Sequence, residues 1–219
     1  MSRHLGYVAI EGAIGAGKAA LAKALAPRLN ARLVLEEPSA NPFLDDFYDD
    51  RPRWALHTQL AFLLARHQAL APIAAAEEER NRTLLTDFLV AKDQIFARAT
   101  LDARELALYE EIATGLRMRG PTPDLIIYLQ ATTDLLMHHL DVARRIGERE
   151  IPREYLDALN DAYNHFFFHF TDAPLLVINV NEVDPVESPG ELDAILERIR
   201  EHPGGTVFYS PARGVRDAG

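Results

Sequence analysis

Five short apolar runs punctuate the chain: Tyr7–Ile10, Arg32–Leu35, Thr83–Thr86, Leu125–Leu129 and Leu175–Val180. Each is bounded by turn residues or charges and has the length of a strand covered on both faces. Between them, apolar positions recur at helical spacing over Ala19–Leu29, Trp54–Glu78, Ala103–Met118, Asp134–Arg145, Arg153–Phe170 and Gly190–Arg200. The longest stretch carries Leu56, Leu60, Leu63, Leu64 and Ala71 in that rhythm. Strands alternating with helices predict an α/β fold, a five-stranded parallel sheet with helices on both faces. One domain is expected over residues 1–200. The charged interval from Arg144 to Pro152 reads as a mobile loop between two helices. Residues 201–219, rich in Gly and Pro and without periodicity, read as a tail that lies loosely or packs on a neighbour.

The 219 residues suffice for a substantial core. The chain has no cysteine, which excludes a disulfide scaffold, a thiolate metal site and a cysteine nucleophile, and fits a cytoplasmic setting. There is no apolar run of about 18 residues to span a membrane. The N-terminal apolar stretch runs straight into glycines and does not read as a signal peptide. Net charge is −10, from 33 acidic and 23 basic residues, which disfavours general binding of nucleic acid or anionic membrane. A phosphate ligand therefore needs a local device. Three of the bases are lysines, Lys18, Lys23 and Lys92, and each stands out in so lysine-poor a chain.

That device is Gly12-Ala13-Ile14-Gly15-Ala16-Gly17-Lys18, which follows the first strand and opens a helix. The G-x-x-x-x-G-K pattern in this context is a P-loop, in which backbone N–H groups and the helix N-terminus cradle phosphates. Lys18 supplies a point charge for the β- and γ-phosphates. The hydroxyl residue that normally closes the motif and ligates Mg²⁺ is absent, because Ala19 is followed by Ala20.

Further segments narrow the reading: Leu35-Glu36-Glu37-Pro38, Asn41-Pro42-Phe43-Leu44, Phe47-Tyr48-Asp49-Asp50, Arg53-Trp54-Ala55-Leu56-His57-Thr58-Gln59, Thr86-Asp87-Phe88, Lys92-Asp93-Gln94-Ile95-Phe96-Ala97 and the run Pro123–Ala131. Together they resemble the deoxynucleoside kinase family, in particular its bacterial deoxyguanosine/deoxyadenosine kinase branch, from about Tyr7 to Val180. The resemblance implies a P-loop kinase fold and ATP-dependent phosphorylation of a purine deoxynucleoside on its 5′-hydroxyl, with Mg²⁺, in nucleotide salvage. It assigns Glu37 as the carboxylate that takes or orients the hydroxyl proton and Asp87 as the acid near Mg²⁺. In many members an Arg follows that acid; here Phe88 does. Residues 12–20, with Arg145 and Arg149, are implied to hold ATP. Gln59, Arg66 and Asp93 are implied around the base, and Tyr48 and Glu148 at the sugar 3′-hydroxyl; Phe62 is a candidate to pack on the base, with plain core packing preferred. For Trp54, plain packing is the preferred reading.

The lid, expected over about residues 138–150, departs most. Arg145 and Arg149 stand where the resemblance expects basic residues, whereas His139, Val142 and Ala143 replace others. With Ala19, this thins the phosphate-handling side while the nucleoside side stays intact. Two alternatives follow: a binding or regulatory subunit of the same fold paired with an active paralogue, and another small-molecule kinase such as thymidylate kinase. The resemblance also implies dimerisation, as a homodimer or with a paralogue, through the long helices after the second and third strands. His165 and His169, four residues apart beside a Phe run, read as packing rather than as a metal site.

Overall fold

The computed structural model describes residues 5–75, 82–90, 92–115, 121–144 and 151–211. Strand β1 (Tyr7–Glu11) leads through the P-loop into α1 (Lys18–Leu25), followed by β2 (Ala31–Val34) and a 3₁₀ turn (Pro38–Ala40). Helices α2 (Leu44–Asp49) and α3 (Arg51–Ala75) precede β3 (Thr83–Thr86). Then come α4 (Lys92–Thr100), α5 (Ala103–Gly115), β4 (Leu125–Gln130), α6 (Thr133–Arg144), α7 (Arg153–Phe168), β5 (Leu175–Asn179), α8 (Pro189–Arg200) and β6 (Thr206–Tyr209).

The sheet is parallel throughout, in the order β2-β3-β1-β4-β5-β6. Val8, Ala9, Ile10, Leu85, Ile126, Ile127, Leu176 and Ile178 are fully buried, as continuous apolar strands between two helical layers require. Helices α1 and α8 pack together, while α4 contacts both α3 and α7. On α7, Tyr155, Leu156, Leu159, Tyr163 and Phe167 form one buried stripe. β2 and β3 lie on one side of β1 and β4 to β6 on the other, so the strand order reverses at β1 and the crevice for a ligand opens at the carboxyl ends of β1, β3 and β4.

Two features differ from the sequence expectation. The sheet has six strands, not five, because β6 forms from the segment expected to lie loosely. Ile178 pairs with Tyr209 and Leu175 with Thr206. Tyr209 Oη donates to Glu191 Oε2 of α8 at 2.5 Å, and the Arg198 guanidinium lies 3.6 Å from the Tyr209 ring centroid. β6 alternates exposed with part-buried side chains, and its apolar run is only Val207-Phe208-Tyr209 within a Gly/Pro-rich segment; Phe208 is 74% exposed. The short helices α2 and α4 also escape a periodicity search. The stretches Glu77–Arg80 and 212–219, and most of the interval expected to be mobile, lie outside the described residues.

Candidate active site

The cradle is shaped by close approach. Gly12 (φ 153°) lies where a Cβ would stand 2.8 Å from the Leu129 carbonyl oxygen of β4. At Gly15 (φ 87°) a Cβ would stand 3.0 Å from the Leu136 carbonyl oxygen of α6. A side chain at either position collides with backbone and strains the turn, which is why glycine is needed. Ala13 and Ala16 are buried inside the loop, Ile14 is partly covered, and Gly17 and Ala20 are exposed. Lys18 Nζ folds back and donates to the carbonyls of Gly12 (2.9 Å) and Ala13 (3.1 Å). Burial, then the like charge of Lys92, pulls the Lys18 pKa down to about 8. Ala19 brings only a methyl to the cradle.

Four carboxylates gather near the ends of β1, β2, β3 and the start of α4. Glu11, fully buried, accepts N–H bonds from Leu89 (2.6 Å) and Gly12 (3.2 Å) and the Tyr163 hydroxyl (3.2 Å). Burial pushes its pKa up, opposed by Lys92 and Lys18. Asp87 Oδ1 accepts the Glu36 backbone N–H at 2.7 Å, and burial raises this carboxyl too.

Glu36 is gripped from both sides. Arg66 Nε donates to Oε1 at 2.7 Å, with a second close Arg66 contact, and Lys92 Nζ donates to Oε2 at 2.7 Å. Burial would raise the Glu36 pKa, but the charges of Lys92 and Arg66 outweigh it and bring it to about 2. Glu37, the carboxylate expected to act on the hydroxyl, is exposed. The difference in burial between these two neighbours has a simple cause. Beyond β2 the chain stays extended, and in extended chain successive side chains point to opposite sides. Glu36 is the one turned onto Arg66 and Lys92.

Helix α3 forms the far wall. Gln59 and Arg66 lie seven residues apart, two turns along one face, and are 2% and 4% exposed. Arg66 also makes a close ion pair with Asp93, at the start of α4. Arg66 Nη1 and Asp93 Oδ1 form that pair, and Asp93 Oδ2, buried, has no hydrogen-bond partner among the described residues. The Arg66 guanidinium carbon lies 5.2 Å from the Phe62 ring centroid. Gln59, Phe62, Arg66 and Asp93 therefore come together as expected. Trp54 instead stacks on Phe43 at 5.8 Å. The Asn-Pro-Phe segment is fastened to α3, with Asn41 Nδ2 donating to the Thr58 carbonyl at 3.0 Å. Tyr48 stands part-buried on α2, its ring edge on Phe47. Its expected partner Glu148, and Arg145 and Arg149, lie outside the described residues.

On the other side of the cradle, α6 carries His139, whose Nδ1 is 2.8 Å from the Gly15 carbonyl oxygen. His138, His139, Ala20 and the segment Val180–Glu187 line a cavity of about 330 Å³. Sequence reading missed that segment, along with Glu36, Lys92 and Glu11. For Lys92 a signal existed in the scarcity of lysine. His165 and His169 cap the end of α7, with His169 Nδ1 bonded to the His165 carbonyl. Among the described residues no cluster of three or more His, Cys, Asp or Glu is arranged to hold a metal.

A family model described as deoxynucleoside kinase matches residues 8–202. Deoxyguanosine kinase of Bacillus subtilis is 29% identical over 199 residues, covering 89% of this chain and 96% of the relative. Deoxyadenosine kinase of Dictyostelium discoideum is 32% identical over 198 residues, covering 89% and 80%. Among solved structures, the deoxyadenosine kinase from M. mycoides with bound dATP superposes with a TM-score of 0.74 at 23% identity, covering 88% of this chain and 98% of that one.

Proposed function

The chain belongs to the deoxynucleoside kinase family, whose members are phosphotransferases, and on that premise we propose that it transfers the γ-phosphoryl group of ATP to the 5′-hydroxyl of a purine deoxynucleoside. Deoxyguanosine and deoxyadenosine are the expected acceptors, in cytoplasmic nucleotide salvage. The observation that carries this reading is Glu36, a carboxylate fixed between Arg66 and Lys92 beside Asp87, at the mouth of a P-loop.

Transfer is in-line, so the acceptor oxygen must be positioned and its proton given a destination. Glu36 is the group for both, and takes the role expected of Glu37. Gln59, with paired amide donor and acceptor, and the Arg66–Asp93 pair, whose Asp93 Oδ2 is free among the described residues, supply the polar edge against which a base hydrogen-bonds. Phe62 offers a flat apolar surface, and Tyr48 and Glu148 are assigned to the sugar. Residues 12–20 bind the ATP phosphates, with the donor base in the cavity beside His138 and Val180–Glu187. Arg145 and Arg149 complete the phosphate contacts.

Asp87 is the side chain that would hold Mg²⁺, the ion that neutralises β- and γ-phosphate charge when bound. A single carboxylate suits this ion, which keeps several waters and leans on substrate phosphates. Ala19 adds no ligand, so the ion's grip is expected to be weak. We place a homodimer contact on α3 and α5, where Leu64 and Leu108 are 45% and 46% exposed. The regulatory-subunit alternative is not carried forward, since the three relatives compared above are all kinases.

The test is transfer of labelled phosphate from ATP to each of the four deoxynucleosides, with Mg²⁺ present and omitted. Turnover of deoxyguanosine or deoxyadenosine is expected. Turnover confined to pyrimidines would refute the purine assignment, and none at all would refute the reaction.

A further inference from the structure

Two of the three lysines, Lys18 and Lys92, share one cleft and repel each other. Lys92 is 4% exposed. Its ammonium has three N–H donors. One goes to Glu36 Oε2 at 2.7 Å, and among the described residues no second acceptor engages the other two. The Phe96 ring lies beneath it, 5.4 Å from Nζ to the centroid. Lys92 also interacts electrostatically with Glu11, Asp87 and Lys18. It thus holds Glu36 directly and lies within electrostatic reach of the lysine of the cradle.

The charge balance gives that position a purpose. Glu11, Glu36, Asp87 and Asp93 face Lys18, Arg66 and Lys92, four acidic groups against three bases. A phosphate formed on the 5′-oxygen arrives beside Glu36 and Asp87 and is repelled by both unless a cation intervenes. Arg66 is committed, one part to Glu36 and another to Asp93. Position 88, next to Asp87, holds Phe88, 1% exposed and without charge. Lys92 is the described cation on the acceptor side with donors to spare.

We propose that Lys92 is a catalytic residue, whose two uncommitted N–H donors hold the oxygens of the phosphoryl group as it leaves the cradle and then hold the product 5′-phosphate. In this step the bond from the 5′-oxygen to the γ-phosphorus forms. The bond from that phosphorus to the β,γ-bridging oxygen breaks, leaving its electron pair on ADP. The hydroxyl proton passes to Glu36, and Lys92 stays protonated throughout. The proposal deepens the function given above and rests on it.

The experiment is calorimetric binding of deoxyguanosine and deoxyadenosine, and of their 5′-monophosphates, to wild type, Lys92→Met and Lys92→Arg. Loss of Lys92 should weaken monophosphate binding by about 10- to 100-fold, the size of a charge-assisted hydrogen bond. Nucleoside binding should change by less than about threefold, and Lys92→Arg should keep most of the monophosphate affinity. Equal weakening of nucleoside and monophosphate would make Lys92 merely the counter-ion of Glu36 and overturn the proposal. A wild-type protein that binds neither nucleosides nor monophosphates would instead refute the kinase reading. Should Lys92→Met fail to fold, lysine acetylation of the wild-type chain decides. Monophosphate should protect Lys92 more than nucleoside does, and equal protection overturns the proposal.

Discussion

Glu36→Gln keeps the shape of the side chain and removes its charge. Glu36 is 14% exposed and holds two cations, Arg66 and Lys92, that are 4% and 5% exposed at their side chains. Water therefore screens little of the interaction. An amide can accept from one of these cations but turns its NH₂ toward the other, so one ion pair becomes a cation's hydrogen bond to a neutral acceptor and the other is replaced by repulsion. Breaking a buried pair in this way costs about 3–5 kcal/mol. Arg66 keeps Asp93, which places the loss toward the lower figure. At about 2–4 °C per kcal/mol for a chain of this size, the melting temperature falls by roughly 6–12 °C. Turnover should fall further than stability alone requires. Removing the group that receives the hydroxyl proton costs about 10²–10⁴-fold in kcat. The assay is steady-state phosphate transfer below the melting transition of each variant, with Glu37→Gln as the comparison. Glu37 is exposed, and its variant should stay within about 0.5 kcal/mol of wild type in stability and close to it in rate. A Glu36→Gln enzyme within threefold of wild type, or a Glu37→Gln enzyme as damaged as Glu36→Gln, refutes the reasoning.

Three further outcomes are expected. Ala19→Ser restores a hydroxyl to the end of the P-loop and should tighten Mg²⁺ half-saturation of nucleotide binding by about tenfold or more; an unchanged titration would show that position 19 does not face the ion. Lys18, its pKa lowered to about 8 by burial and then by Lys92, is partly neutral above that pH in the free protein. Bound polyphosphate favours its charged form, so nucleotide affinity should fall as pH rises through 8, and binding there should take up protons, read by calorimetry in buffers of different ionisation enthalpy. Tyr209→Phe removes the hydrogen bond to Glu191 that fastens β6 to α8 and should cost about 0.5–3 kcal/mol. A melting temperature equal to wild type would mean that β6 is held by its ladder to β5 alone.

What could be read from the sequence follows from how local each feature is. The P-loop lies within a few consecutive residues, and its glycines answer to contacts that recur wherever strand, loop and helix meet in this way. The four inner strands show as apolar runs because helices cover both faces, and the edge strand β2 shows as one as well. Strand β6 does not, since its apolar run is only Val207-Phe208-Tyr209, set in a Gly/Pro-rich segment and alternating exposed with part-buried residues. Helix α4 hides for a related reason, because its buried side includes Lys92 and Asp93, whose charge contradicts the expectation that apolar residues face inward. The acidic pair Glu36-Glu37 shows the limit most clearly. Two identical neighbours differ only in which side of an extended chain they occupy, and that depends on where β2 ends, one residue earlier than the apolar pattern suggests. Lys92 meets Glu36 across 56 residues of sequence, a contact no local pattern records. Gln59, Arg66 and Asp93 are reached through resemblance, and the structure adds that Arg66 pairs with Asp93 and Glu36 together.

The most direct measurement is a crystal structure of the protein with deoxyguanosine or deoxyadenosine bound. The account predicts the base edge on Gln59, Arg66 and Asp93, with the 5′-oxygen within about 3.2 Å of a Glu36 carboxylate oxygen. A nucleoside whose 5′-oxygen points to Glu37, or one seated away from α3, would contradict it.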